Sequence, residues 1–136
     1  MVKITGEYQG GLHCLAIHGP SANTLVTDAP KDNQGRGEAF SPTDLTATSL
    51  ATCIATTMAI VARRHGVELI GLKFEVTKEM SADAPRRIVR LATQLWLPIP
   101  KTEEMAKLLE HAAHHCPVYL SLHPQIDKLV VFNWRQ

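Results

Sequence analysis

Two thiols in unlike settings are the residues of this chain best suited to chemistry. Cys53 lies within a long run of small and apolar residues, SPTDLTATSLATCIATTMAIVARRHG, and Cys116 stands directly before a proline in HAAHHCPVYLSL. A thiol inside a helix and a second at a helix start suggest one cysteine that reacts and one that resolves, and thiolate is the reactive form of either. Cys53 sits about three turns beyond Ser41, too deep for a helix dipole that acts only near the termini. Its activation requires an Arg, Lys or protonated His from elsewhere in the fold; without one it is a small residue in a tight helix–helix seam. Cys116, as N-cap of the helix that Pro117 opens, lies near unsatisfied backbone N–H groups that favour thiolate; the alternative is a cysteine that merely ends one helix where proline begins the next. A bond between the two sulfurs needs Cα atoms within about 7 Å. Cys14 alternates with Leu12 and Ala16 along a strand and reads as core packing on the apolar face.

His111, His114 and His115 crowd the end of a predicted helix. His111 and His115 have the i,i+4 spacing that can ligate zinc, with Cys116 as a third ligand, but no HExxH or CxxC accompanies them, and cationic His near a helix C-terminus is favourable in itself. No metal or other cofactor is expected. Arg36 and Glu38 lie in the polar loop just before the Cys53 helix and are the nearest sequence neighbours able to supply a charge pair at a pocket; otherwise they are solvated loop charges. Asp44 reads as a capping carboxylate. No phosphate loop, dinucleotide fingerprint or Gly-x-Ser-x-Gly elbow occurs.

These side chains need elements to hold them. Residues 2–8 and 12–18 read as strands joined by a Gln9-Gly10-Gly11 turn, with Ala22–Thr27 as a third strand and Asp28–Phe40 as a long loop. Ser41, Pro42 and Asp44 supply the N-cap, first-turn proline and capping carboxylate of a helix running to about Arg64 and closed by Gly66. Ala47, Leu50, Ala51, Ile54, Met58 and Val61 form its apolar stripe, and Ser49, Cys53, Thr56 and Thr57 share an adjacent face. Glu68–Lys78 and Ile88–Leu97 read as a hairpin that Pro98 and Pro100 end; Thr102 caps a helix to about His115; Leu129–Trp134 closes the chain as a strand. The order is that of one α+β domain spanning residues 1–136 rather than a βαβ repeat. A long helix with so little polar face needs cover on nearly every side, more than one small sheet provides, and a homodimer is the expected solution.

At 136 residues the chain can bury an ordinary core, and an odd count of three cysteines argues against a disulfide framework. A formal net charge of +1 gives no general attraction to nucleic acid or anionic membrane. Val2–Thr5 reads as a strand rather than a charged leader, and the Thr and Ser content of Leu45–Ala62 suits a buried helix better than a membrane span, so a cytoplasmic location is expected.

The segment GEAFSPTDLTATSLATCIATTMAIVARRHGVEL, followed by CPVYLSL, resembles the OsmC/Ohr family of osmotically inducible and organic hydroperoxide resistance proteins, and the resemblance covers essentially the whole chain. It implies an OsmC-like fold with antiparallel sheets packed on a long central Cys-bearing helix, in an intertwined homodimer with two active sites at the subunit interface. It further implies Cys53 as the peroxidatic cysteine, Cys116 as the resolving one, a Cys53–Cys116 disulfide after attack on a peroxide, and reduction by an external dithiol. The organic hydroperoxide branch carries an Arg in its N-terminal hairpin and a Glu directly after the helix-opening proline. Here that Glu position is Thr43, and Gln9 to His13 holds no Arg, so the chain is more similar to the OsmC-like branch carrying SPTDL. Arg36, with Glu38, is the expected replacement.

The resulting expectation is a thiol-dependent peroxidase acting on organic hydroperoxides or hydrogen peroxide in oxidative or osmotic stress defence. The alternative is a non-enzymatic dimeric protein, sensing redox state or binding a small ligand on the same fold. A zinc protein using His111, His115 and Cys116 is the third option.

Overall fold

The computed structural model describes residues 1–136. It divides into two compact units, Met1–Thr46 and Ala47–Gln136. The first is a three-stranded antiparallel sheet, β1 (Ile4–Tyr8), β2 (His13–His18) and β3 (Thr24–Asp28), in that spatial order. The β1–β2 turn runs through Gly10 and Gly11, both at positive φ, followed by Leu12 at φ 60°. The sheet leaves Ile4, Tyr8, Ile17, Leu25 and Val26 exposed. Cys14 is exposed with them, which corrects its reading as core. Leu12, on the same side by alternation, is exposed as well.

The helix α1 (Pro42–Arg64) begins as its capping residues require. Ser41 Oγ accepts from the Asp44 N–H at 3.1 Å and Asp44 Oδ2 accepts from the Ser41 N–H at 2.9 Å, a reciprocal capping box. The helix ends where Gly66 takes φ 73° and the Val67 N–H returns to the Ala62 carbonyl at 3.0 Å.

In the second unit, the core gathers Leu50, Ile54, Met58 and Ala62 of α1 against Leu91, Leu95, Leu97 and Leu109. Although α1 is long and apolar enough to cross a membrane by length and composition, this packing is that of a core helix. Three further strands, β4 (Lys73–Met80), β5 (Ile88–Pro100) and β6 (Val130–Arg135), form a sheet in that order. Strands β4 and β5 are antiparallel, but β6 is parallel to β5, so this sheet is mixed rather than wholly antiparallel. The chain leaves β5, passes through α2 (Glu103–His114) and α3 (Pro117–Ser121), and returns alongside, the crossover that parallel pairing demands.

Two strand boundaries differ most from expectation. The first strand of the hairpin starts at Lys73, not Glu68, because Leu69–Leu72 form a turn with Gly71 at φ 94°. Strand β5 continues past Pro98 to Pro100. Its last β4 partner is at Trp96, so beyond that point it pairs only with β6, and a missing N–H on the open side costs no ladder bond.

Ile54 is fully buried at the centre of this core. Ile54→Ala should destabilise the protein by about 2–5 kcal/mol, read as a lower denaturation midpoint at unchanged slope.

Candidate active site

The two cysteines of the second unit come together. Cys53 is half-buried on α1, on the face that also carries Ser49, Thr56 and Thr57. These residues, with Thr52, Ile60, Pro117 and Val118, line an open cleft of about 490 Å³. The Cys53 sulfur lies 4.0 Å from Thr57 Oγ1. The Thr52 hydroxyl is committed to its own helix, donating to the Thr48 carbonyl at 2.8 Å. No charged side chain lines the cleft.

Cys116 is fully buried and N-caps α3, with Pro117 at the first helical position as its sequence predicts. Its sulfur accepts from the Tyr119 N–H at 3.4 Å. The cap does not make it a thiolate. Burial pushes the Cys116 thiol up to about 11, and contact with the Cys53 thiol and its charge adds to the rise, against the Tyr119 and Val118 N–H groups that oppose it. The expectation that the helix start favours thiolate at Cys116 is therefore corrected: desolvation of the charged form outweighs a short helix's N–H groups. A half-exposed thiol opening onto a cleft thus lies near enough to a buried one to raise its proton affinity.

Arg36 and Glu38 belong to the first unit, and both are exposed. They form no ion pair with each other. The Arg36 guanidinium lies against Gly11, where a Cβ would come within 2.6 Å of it, so the turn glycine leaves room for the cation as well as taking φ 60°. Glu38 contributes its backbone N–H, which donates to Asp28 Oδ2 at 3.1 Å. Both residues thus converge on Asp28, which sequence reasoning missed. Asp28 is buried at the end of β3, opposite His13, whose Nδ1 hydrogen-bonds Asp28 Oδ1. That hydrogen bond, then the Glu38 N–H and the charges of His13 and Arg36, hold the Asp28 carboxyl below its usual range against the opposing effect of burial. The signal lay in the register of β2 and β3, which pairs the first residue of one strand with the last of the other.

A carboxyl depressed in the folded state stabilises it above the unfolded pKa and loses that contribution as pH falls through the folded value. The wild-type protein should therefore lose stability in acid below about pH 3.8, the ordinary Asp value. Asp28→Asn should flatten that part of the profile, as followed by thermal unfolding across pH.

The imidazoles of His111 and His115 stack with centroids 3.9 Å apart, and His115 Nδ1 bonds to the His111 carbonyl at 2.8 Å. The Cys116 sulfur accepts from the Tyr119 N–H instead, and no three His, Cys, Asp or Glu side chains gather as a metal-binding group. The zinc arrangement of His111, His115 and Cys116 is not formed.

Known proteins agree with this architecture. The profile of the OsmC-like protein family matches residues 35–128. A solved Psychrobacter arcticus protein, named for osmotic stress induction and a detoxification response, is 44% identical, with a TM-score of 0.93 over 98% of this chain and 96% of its own. An organic hydroperoxide resistance protein OsmC from Legionella pneumophila shares the fold at 17% identity, with a TM-score of 0.79 over 98% of this chain and 96% of its own. So does an organic hydroperoxide resistance protein from Elizabethkingia anophelis at 14% identity, with a TM-score of 0.80 over 99% and 96%. No curated protein matches the sequence. With its family profile spanning most of the chain and a close structural relative along nearly its full length, the protein belongs to the OsmC-like family.

Proposed function

We propose that the protein is a thiol-dependent peroxidase, with Cys53 as the attacking thiol and Cys116 as the resolving one. The observation that carries this reading is that Cys53, at an open cleft, lies near enough to the buried Cys116 to raise its proton affinity. In the proposed cycle the Cys53 thiolate attacks one peroxide oxygen, the O–O bond breaks, and the alkoxide or hydroxide leaves and takes up a proton. Cys53 is then a sulfenic acid. The Cys116 thiolate, its proton having been released, attacks that sulfur; the S–O bond breaks as the disulfide forms, and the departing hydroxide takes up a proton and leaves as water. An external dithiol reduces the disulfide by exchange, returning both thiols. Ile60, Pro117 and Val118 give the cleft an apolar side, which supports organic hydroperoxides as better substrates than hydrogen peroxide.

The working state in this reading is a homodimer, supported by the apolar side chains that the first sheet leaves exposed. A reducing, cytoplasmic setting suits a dithiol cycle. The stress-related naming of the Psychrobacter relative supports a role in oxidative or osmotic stress defence. Arg36 and Glu38 are proposed to promote the Cys53 thiolate. If Arg36→Ala and Glu38→Ala leave the alkylation rate of Cys53 unchanged, that assignment is wrong.

The uncharged lining of the Cys53 cleft favours a second reading, a dimeric redox sensor or small-ligand binder that is oxidised but turns over slowly. The deciding experiment is dithiol-dependent consumption of cumene hydroperoxide and of hydrogen peroxide by the wild-type protein. Repeated turnover supports the peroxidase. A single oxidation per chain, with no steady state, moves the assignment to the sensor.

A further inference from the structure

A second cavity, of about 530 Å³, lies between the C-terminal half of α1 and α2 from Lys107 onward. Its size is that of a small-molecule pocket. Val61, Leu108 and Ala112 supply an apolar lining, while Arg64, His65, Lys107, His111 and His115 border it; no acidic side chain does. Such one-sided charge is more than helix-end chemistry. Cations near the last turn of a helix suit its dipole, which accounts for Arg64, His65, His111 and His115. It does not account for Lys107, which stands within α2. Nor are the two strongest cations neutralised. Arg63 is paired with Glu68 at 3.6 Å, whereas neither Arg64 nor Lys107 has a salt-bridge partner. An apolar hollow bordered by unpaired cations complements a molecule with an apolar body and one negative end.

We propose that this cavity binds an amphipathic organic carboxylate, its tail against Val61, Leu108 and Ala112 and its head between Arg64 and Lys107. The ligand is held non-covalently and is independent of the thiol cycle; the cavity shares only Thr57 with the Cys53 cleft. The inference therefore stands or falls separately from the peroxidase reading.

The test is displacement of the fluorescent probe dansylaminoundecanoate from the full-length protein by decanoate, decanol and decyltrimethylammonium. Decanoate should compete at least about tenfold better than decanol, the worth of one charge-assisted hydrogen bond, and decyltrimethylammonium should not compete. Arg64→Gln with Lys107→Gln should remove the preference for decanoate over decanol. Lys107→Glu, a single exposed substitution that a helix tolerates, should shift preference toward the cationic amphiphile. Cys53→Ser should bind decanoate as the wild type does. Equal competition by decanoate and decanol, or an unchanged preference in both charge variants, overturns the proposal. So does a change of oligomeric state in sedimentation between the wild type and Lys107→Glu, which would make this face an interface between two copies.

Discussion

Cys53→Ser is expected to reduce dithiol-dependent peroxide consumption by roughly a thousandfold or more, to the rate of the dithiol alone. Serine keeps the shape of the side chain but not its chemistry. Its hydroxyl does not ionise near neutral pH, and its oxygen cannot accept the peroxide oxygen as sulfur does in forming a sulfenic acid. Cys53 is half-buried, and its one recorded hydrogen-bond contact is to Thr57 at 4.0 Å, so the substitution should leave the fold and its melting temperature nearly unchanged. Loss of activity can then be assigned to the missing sulfur rather than to unfolding. Cys14→Ser serves as the control, since an exposed thiol on the first sheet lies outside the proposed chemistry and should leave turnover unaltered. Retention of activity by Cys53→Ser, or its loss in Cys14→Ser, would falsify the assignment of Cys53 as the attacking thiol.

What could be foreseen in this chain was whatever a few neighbouring residues decide. Ser41 and Asp44 define the start of α1, Thr102 caps α2 through the Met105 N–H at 3.1 Å, and Cys116 with Pro117 opens α3, all from local hydrogen-bonding capacity. The grouping of Ser49, Cys53, Thr56 and Thr57 on one face follows from helical spacing and becomes one wall of the cleft. The failures share another character. The apolar run around Leu69 looks like strand, yet Leu69 is buried while Ile70 is 82% exposed, because Gly71 turns the chain between helix and sheet. The parallel placement of β6 depends on how the crossover through α2 and α3 returns to the sheet. The pairing of His13 with Asp28 depends on strand register, and the exposure of Cys14 on tertiary packing that period-2 alternation does not specify. For Cys116 the local cue was correct, since its sulfur does cap α3, but the burial that sets its proton affinity comes from the packed core.

That burial leads to a second large effect, on the resolving step. Cys116→Ser should leave the first oxidation of Cys53 fast but stop the cycle there, with one equivalent of peroxide consumed per chain and the sulfenic acid exposed to further oxidation. In the wild type, resolution should be limited by the proton on Cys116. A thiol raised to about 11 is almost wholly protonated near neutral pH, so the attacking thiolate fraction should grow about tenfold for each pH unit below that value. The first oxidation changes the balance in a useful direction. Part of the rise comes from the charge and contact of Cys53 in its reduced form. Once Cys53 is a neutral sulfenic acid its repulsion is gone, leaving burial as the main opposition, so Cys116 ionises more readily after Cys53 has reacted than before. In the proposed cycle the buried thiol should thus become a better nucleophile once there is a sulfenic acid to attack. Single-turnover reactions, quenched with dimedone to trap sulfenic acid and resolved by mass spectrometry, should show disulfide formation accelerating from about pH 6 to pH 9. Alkylation of reduced protein over the same range should modify Cys53 well before Cys116. A disulfide-forming rate that is flat across this range would mean that proton loss from Cys116 does not limit resolution, and that burial of the thiol does not control the cycle.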